Sequence, residues 1–490
     1  MICNEMAPKG GKRGSASRLT RFLLGGMALF ILGGCAGTTT FTSYTKKMSL
    51  HLQDLQSRKP IDFTQCLLSE CQSMDQILYT MERGRMAQII GQAEVSKKDF
   101  GATMEAIKVN EEKATVSASG IGAQAAAVMV NDNAIPYEGE GYERVMLHHF
   151  QAMNHLVNKD VEGAAVEVRR ANAEQEEALK RHEKELEKAR AEAEEKELNP
   201  EEASTGVASR FEVLDEVAGK VKNSFQNAYT FYMSGLVYEL MNQPNDAYID
   251  YKKALEIFPD NSYLKRDVGR LAHSLGMTEE QEALRERFGA ELLSGAGSVK
   301  GGDGDLVVLY EDGFVPQKKE IKIPIPVPRA GLVAVAFPIY NEKWSDCAPL
   351  TVARPDGEIG ATEPICYLNA LAVKALKEKV PAIAIRQTIR AAAKAATAAV
   401  AKEHLGSLGS LTASIYNLVS ENADLRSWVT LPANAQIMRA TLPAGIHRLT
   451  VAQKGSNVSA PVEVEIREGG KTFLRVIRTG EQLYSSSVTF

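Results

Sequence analysis

The chain has 490 residues, is 44% hydrophobic and 24% charged, and carries 57 Lys and Arg against 62 Asp and Glu, a formal net charge of −5. Such a length allows two or three domains with real cores. Its bases are interspersed with acids, so it lacks the basic footprint that phosphate-dominated binding requires, and nucleic-acid partners are set aside.

At the N-terminus, Lys9, Lys12, Arg13, Arg18 and Arg21 precede an apolar run over residues 22–34 that stops at Cys35, in "LFILGGCAG". A bilayer span needs about 20 apolar residues. This shorter run, with basic residues before it and small ones at its end, reads as a secretory signal. "LGGC" resembles the bacterial lipobox, in which the preceding segment is cut away and the cysteine becomes a lipidated N-terminus. The resemblance implies a signal peptide over 1–34 and palmitate-bearing lipid on Cys35. Because Ala36 follows rather than aspartate, it also implies the outer membrane, facing the periplasm. Several acyl chains anchor stably where one is marginal. Losing 1–34, with five bases and one acid, takes the remaining chain to −9.

Cys3 leaves with the signal, so Cys66, Cys71, Cys347 and Cys366 remain, as two local pairs. In an oxidising compartment these predict disulfides Cys66–Cys71 and Cys347–Cys366. Their spacings do not match a zinc pattern.

Residues 35–60, polar and threonine-rich, read as a tether. Helical patterning then runs over 61–290. Within it, "AYTFYMSGLVYELMNQPNDAYIDYKKALEIFPDN" (228–261) resembles a tetratricopeptide repeat over its whole length, with Gly235, Tyr238, Ala247, Tyr251, Ala254 and Pro259 at the small, aromatic and proline positions. Phe231 holds the usual tryptophan position, while Ser234 replaces the usual leucine. Gly84, Ala87, Gly91, Ser96 and Phe100 fit the same frame, as do Ala152, Ala164 and Ala171, and a fourth unit around Gly269 resembles a terminal cap. Between the second and third units, 174–198 is a charged helical insertion. Its Leu179, Leu186 and Ala193 recur every seven residues, leaving open a solvated extension or a partner-binding coiled coil.

Residues 291–304, within a Gly/Ser-rich stretch, read as a linker without a phosphate-binding loop. Beyond it, 305–490 reads as a β-rich domain. "DLVVLYEDGFVPQKKEIKIPIPVP", "GLVAVAFPIY", "IHRLTVAQ", "PVEVEIRE" and "TFLRVIRT" are strand-like, and two inserted helices are separated at Pro381. Arg386, Arg390 and Lys394 share a face of the second, which fits packing across the sheet or contact with an anionic surface. The fold expected is multidomain α+β: a helical tetratricopeptide-like solenoid, then the β-rich domain.

"YEGEGYERVMLHHFQAMNHLVNKDVEGAAVEVRRA", "YEDGFVPQKKEI" and "SWVTLPANAQI" complete a resemblance to a family of bacterial lipoproteins with tetratricopeptide-like repeats. It implies an envelope location and this two-part architecture, but brings no catalytic residues. Analogy with other outer-membrane lipoproteins suggests cell-wall assembly and proximity to peptidoglycan. No GxSxG, HExxH or cysteine-nucleophile motif occurs. His148 and His155 share a helix face but lack ligand-spaced companions, so no catalytic residue, metal or cofactor is expected.

The expected role is a scaffold. Transferring the repeat frame places Met81 and Arg85, His149 and Met153, and Tyr229, Tyr232, Leu236 and Glu239 in a concave groove that would bind an extended or helical apolar segment of an envelope protein. The alternative is an envelope enzyme or carbohydrate-binding module using the C-terminal domain, with Trp344 and Trp428 too sparse to make a sugar platform. Replacing Cys35 with Ser should release the protein from membranes or leave it as an uncleaved precursor. Mass spectrometry that found an unmodified mature start elsewhere would refute the assignment.

Overall fold

Helical spacing becomes structure from Tyr44. The computed structural model describes residues 43–117, 135–195, 207, 209, 211–289, 302–327, 331–340, 347–420 and 422–490. Cys35, Trp344 and most of the Gly/Ser stretch lie outside these. Two compact units divide the chain, Met1–Ser49 and Leu50–Phe490. The first contributes only the start of helix α1 (Tyr44–Gln56) to the described residues. Because α1 lies inside 35–60, the expected tether is corrected. Its end is anchored, since Leu55 is buried and its carbonyl accepts the hydroxyl of Tyr484 at 2.8 Å.

Four antiparallel helix pairs follow among the described residues: α2 (Gln76–Ile89) with α3 (Ala93–Ser117), α4 (Gly141–Val157) with α5 (Val161–Glu195), α6 (Ala228–Leu240) with α7 (Pro244–Ile257), and α8 (Ser262–Ser274) with α9 (Thr278–Phe288). Three residues link each pair, and the middle one is left-handed every time: Gly91 (φ 83°), Lys159 (57°), Asn242 (56°) and Gly276 (68°). Every link closes with an N–H bonded to a carbonyl five residues back, from Gln92 to Ala87 (2.8 Å) and from Asp160, Gln243 and Met277 to His155, Tyr238 and Ala272 (each 2.9 Å). This is the C-terminal geometry that satisfies a helix's orphan carbonyls.

Within pairs, small residues let the helices touch. A Cβ on Gly84 would lie 2.7 Å from Phe100 Cε1, and one on Gly235 would lie 2.3 Å from Tyr251 Cε1. Ser234, at the leucine position, donates to Asp250 Oδ2 at 2.5 Å, and Asn172 Nδ2 from α5 joins them at 3.0 Å. A polar bridge between consecutive pairs therefore replaces an apolar contact.

The C-terminal half is mainly sheet. Its strands are β1 (Asp303–Asp312), β2 (Lys319–Val327), β3 (Gly331–Ile339), β4 (Leu350–Arg354), β5 (Gly357–Ala361), β6 (Glu363–Cys366), β7 (Asn434–Pro443), β8 (Gly445–Gln453), β9 (Ser459–Ile466), β10 (Lys471–Thr479) and β11 (Gln482–Thr489), with helix α10 (Leu368–Ser420) between β6 and β7. One sheet has the order β11-β10-β1-β7-β6, a second β5-β4-β8-β9, and β2-β3 form a separate hairpin. In the first sheet β1 and β10 are parallel, and the other pairs are antiparallel.

Side chains alternate across a strand, and β1 uses both faces. Leu306, Val308 and Tyr310 share a core with Leu474 and Val476 of β10 and with Val352, Val451 and Val464 of the second sheet. The intervening Asp305, Val307, Leu309 and Glu311 face the helix pairs. This two-sided burial explains why "LVVLY" reads as an unbroken apolar run.

Several expectations need correction. The linker ends before residue 304, because β1 starts at Asp303. A Cβ on Gly304 would sit 2.1 Å from Arg467 O, so this glycine serves close approach rather than flexibility. α10 runs unbroken through Pro381. Proline removes one ladder bond, but Ala382, Ile385 and Ile389 beyond it bury against Ala189 of α5. Over its described residues, 174–195, the charged insertion thus packs within its own chain. Leu179 of the supposed seam is 42% exposed, and Glu185 and Ala189 make the contact instead. Arg386 and Arg390 turn to this helical environment, pairing with Glu185 (3.0 Å) and Gln387 (3.1 Å), and not to an anionic surface. β4 to β7 and β11 escaped prediction, being short or rich in polar residues.

Overpacking a tight contact costs about 1–3 kcal/mol. Gly235→Ala should lower the urea midpoint accordingly with an unchanged m-value, and an unshifted midpoint would mean that the α6–α7 contact is looser than described.

Candidate functional site

The concave groove expected from the repeat frame is where the two halves meet. Met81, Arg85, His149, Met153, Tyr229, Tyr232 and Leu236 are all buried, and the Glu239 side chain is 6% exposed. The assignment as an open groove for a partner is corrected. The chain's own sheet fills it, because the helix-facing residues of β1, β7 and β10 match the helices in charge. Truncating Tyr232 and Met153 would therefore open cavities in the core rather than remove a partner contact.

Glu311 is the centre of the first cluster. Its carboxylate pairs with Arg85 of α2, accepts both Nε and Nη2 of Arg475 at 2.9 Å, and accepts the Tyr229 hydroxyl at 3.3 Å. Gln88 Oε1 accepts from both guanidiniums at 2.9 Å. The Arg85 guanidinium also lies 4.1 Å over the Phe150 ring, a favourable cation–π placement. Burial alone would push the Glu311 carboxyl up, but Arg475 and Arg85 outweigh it and hold it at about 2. Burial drives His149 down to about 3, against the pull of Glu311. This imidazole is neutral, its ring 4.3 Å from Tyr229, and neither ring nitrogen has a hydrogen-bond partner.

A second cluster continues along the sheet. Arg439 of β7 reaches Glu239 (2.9 Å), Asp267 (2.8 Å) and Asp305 (2.5 Å). Lys471 and Arg270 also pair with Glu239, at 3.2 and 2.7 Å. Three acids thus meet three bases, and Tyr232 donates to Asp267 at 3.1 Å.

At the other end, the irregular segment between α10 and β7 lies in the inner face as a bound peptide would. Glu143 accepts the Trp428 N–H at 2.7 Å, and Glu82 accepts those of Val429 (2.7 Å) and Thr430 (3.2 Å) and the Thr430 hydroxyl (2.6 Å). Trp428 is fully buried, edge-on to Phe100 and Phe150 with both ring centroids at 5.9 Å. It belongs to this internal contact and is no sugar platform. Sequence reasoning missed Glu82, Glu143, Glu311, Arg439 and Arg475. The available signal was a charge inside an apolar run, as Glu311 is in "DLVVLYED".

The four remaining cysteines are free thiols, which corrects both predicted disulfides. Cys347 Sγ lies 3.1 Å from both Asn434 Oδ1 and Gln436 Nε2, whereas Cys366 pairs in register with Ala435, on the opposite face of β7. Between Cys66 and Cys71 the chain turns at Leu67 (φ 54°), and Cys71 is buried on a 3-10 turn. Burial pushes the thiols up, Cys66 to about 11 and Cys71 and Cys347 to about 12, so reactive thiolate is scarce. His148 and His155 bond separately to Glu167 (2.7 Å) and Asp160 (2.6 Å). No group of three metal-ligating side chains occurs among the described residues.

Away from this interface, a cleft of about 390 Å³ opens where α5, α10, the base of the β2-β3 hairpin and residues 135–140 meet.

A depressed carboxyl contributes stability that is present above its unfolded value and lost as pH falls through the folded one. For Glu311 that window runs from about 4.3 down to about 2. Glu311→Gln should be less stable than the wild type at pH 7, and the gap in urea midpoint should narrow below pH 4.3. A gap that stayed constant from pH 7 to 3 would show that the Glu311 charge does not fasten the halves together. In comparisons with known proteins, no family model, curated protein or solved structure matches this chain.

Proposed function

We propose that the chain is a lipid-anchored periplasmic protein of the bacterial outer membrane whose tetratricopeptide-like helix pairs act as a protein–protein interaction scaffold. The observation that carries the scaffold reading is the shared link geometry of the four helix pairs, whose inner face holds the extended segment around Trp428 through its backbone N–H groups. Such a face organises chain segments. "LGGC" supports the anchor, and no described helix is long and apolar enough to cross a membrane.

Since the inner face is filled from within, the partner surface of this reading moves to the outward side of the charged insertion on α5. That helix is 35 residues long and α10 is 53, or about 50 and 80 Å at the helical rise. The solvent-facing side of α5 presents many side chains to a partner at small folding cost. A photo-crosslinker at Lys180, whose side chain is 68% exposed, should yield a discrete adduct with an envelope protein in cells. The same group at buried Tyr232 should not, and Cys35→Ser should reduce the Lys180 adduct. Adducts of equal yield from the lipid-free variant, or none from Lys180 or its exposed neighbours on α5, would refute the anchored scaffold.

A further inference from the structure

Lys318 is the unusual residue of the cleft. It is 8% exposed and donates to the Arg426 carbonyl at 3.0 Å, and it forms no ion pair with a described carboxylate. An ammonium has three donors, and a buried charge is costly unless paired. Of the other cations of the cleft, Lys188 is exposed to solvent, and the more buried ones are already matched. Lys379 pairs with Glu140 (2.7 Å) and Glu185 (3.6 Å), Arg386 with Glu185 (3.0 Å), and Arg426 with Asp75 (2.5 Å) and Asp424 (2.7 Å). Burial opposes the charge on Lys318, but Tyr340, Glu140, Asp424 and Glu143 raise its affinity for the proton, so it stays an ammonium.

The rest of the lining is divided. Pro338, Leu376 and Ile383 offer an apolar wall, while Glu138 and Glu192 bring unpaired negative charge to the cleft. We infer that this cleft binds a zwitterion of amino-acid or short-peptide size, its carboxylate on the Lys318 ammonium, its apolar body along α10 and its own ammonium toward Glu138 and Glu192. The volume lies within the range of small-molecule sites. A carboxylate would supply charge-assisted acceptors to the two donors of Lys318 that Arg426 leaves open, and such bonds are the stronger kind. This inference goes beyond the scaffold reading and does not depend on it.

The test is calorimetric titration of the mature full-length chain with leucine, with leucyl-leucine and with leucyl-leucine amide. Binding of leucine identifies a free amino acid as the ligand type, and binding of the dipeptide alone identifies a peptide terminus; either supports the site. The amide should bind at least about tenfold more weakly, given what a hydrogen bond between charged groups contributes. Lys318→Met should abolish binding, and Ile383→Trp, which fills the cleft from α10 and leaves Lys318 in place, should do the same should the first variant fail to fold. Failure of both zwitterions to bind the wild type at millimolar concentration, equal affinity for acid and amide, or undiminished binding in either folded variant would overturn the proposal.

Discussion

The Glu311 carboxylate, buried between Arg85 and Arg475, is the contact on which the rest of the structure depends. It sits on the central strand of a sheet whose other face is an apolar core, so it has no solvent to retreat to. Removing one partner of such a group costs about 3–5 kcal/mol, although an apolar replacement of the whole set can be neutral. The contribution is therefore largely one of specificity. The cluster admits one register of sheet on helices, the one that puts β1 and β10 opposite α2 and α6, and the Arg439 cluster repeats the same condition a few residues along.

Once the sheet is seated, the inner face of the helix pairs is no longer available. Tyr229, Tyr232 and Glu239 point where a concave repeat surface would present them, yet they hold residues of the same chain. Glu82 and Glu143 do to Trp428, Val429 and Thr430 what a peptide-binding face does to a ligand: they saturate its backbone N–H groups and bury its one large side chain. Helical and β-rich halves consequently behave as one folding unit, and residues Leu50–Phe490 form a single compact body. Separating the halves would expose several buried charges at once, which makes independent folding of either unfavourable.

Under the scaffold reading proposed above, that internal closure turns attention to the outer surfaces. The surfaces left over include the outer side of α5 and the cleft between α5 and α10, where Lys379, Arg386 and Arg426 already have their carboxylates. Lys318 stands apart because its surroundings keep it charged without supplying an ion-pair partner. Charge balance, rather than apolar surface, is what distinguishes this cleft from the interface.

Much of the helical half was legible in the sequence. Glycines at 84 and 235 announce close helix contacts because only hydrogen fits beneath an aromatic ring, and the links at Gly91 and Gly276 announce left-handed turns. Alternating strands such as β8 and β9, and the unbroken run of β1, were readable from burial on one face or both. These features are local, set by sterics and periodicity over a few residues. What only the tertiary structure decided is which surface meets which. Arg85 and Glu311 are 226 residues apart and Trp428 and Glu143 are 285 apart. In the sequence each is one charge or aromatic among many equivalents, and only the folded geometry selects its partner. The continuity of α10 through Pro381 and the free thiols follow the same logic. A proline's lost bond is outweighed by packing against α5 that lies far away in sequence, and two cysteines close in sequence are kept apart by strands that put their sulfurs on opposite faces.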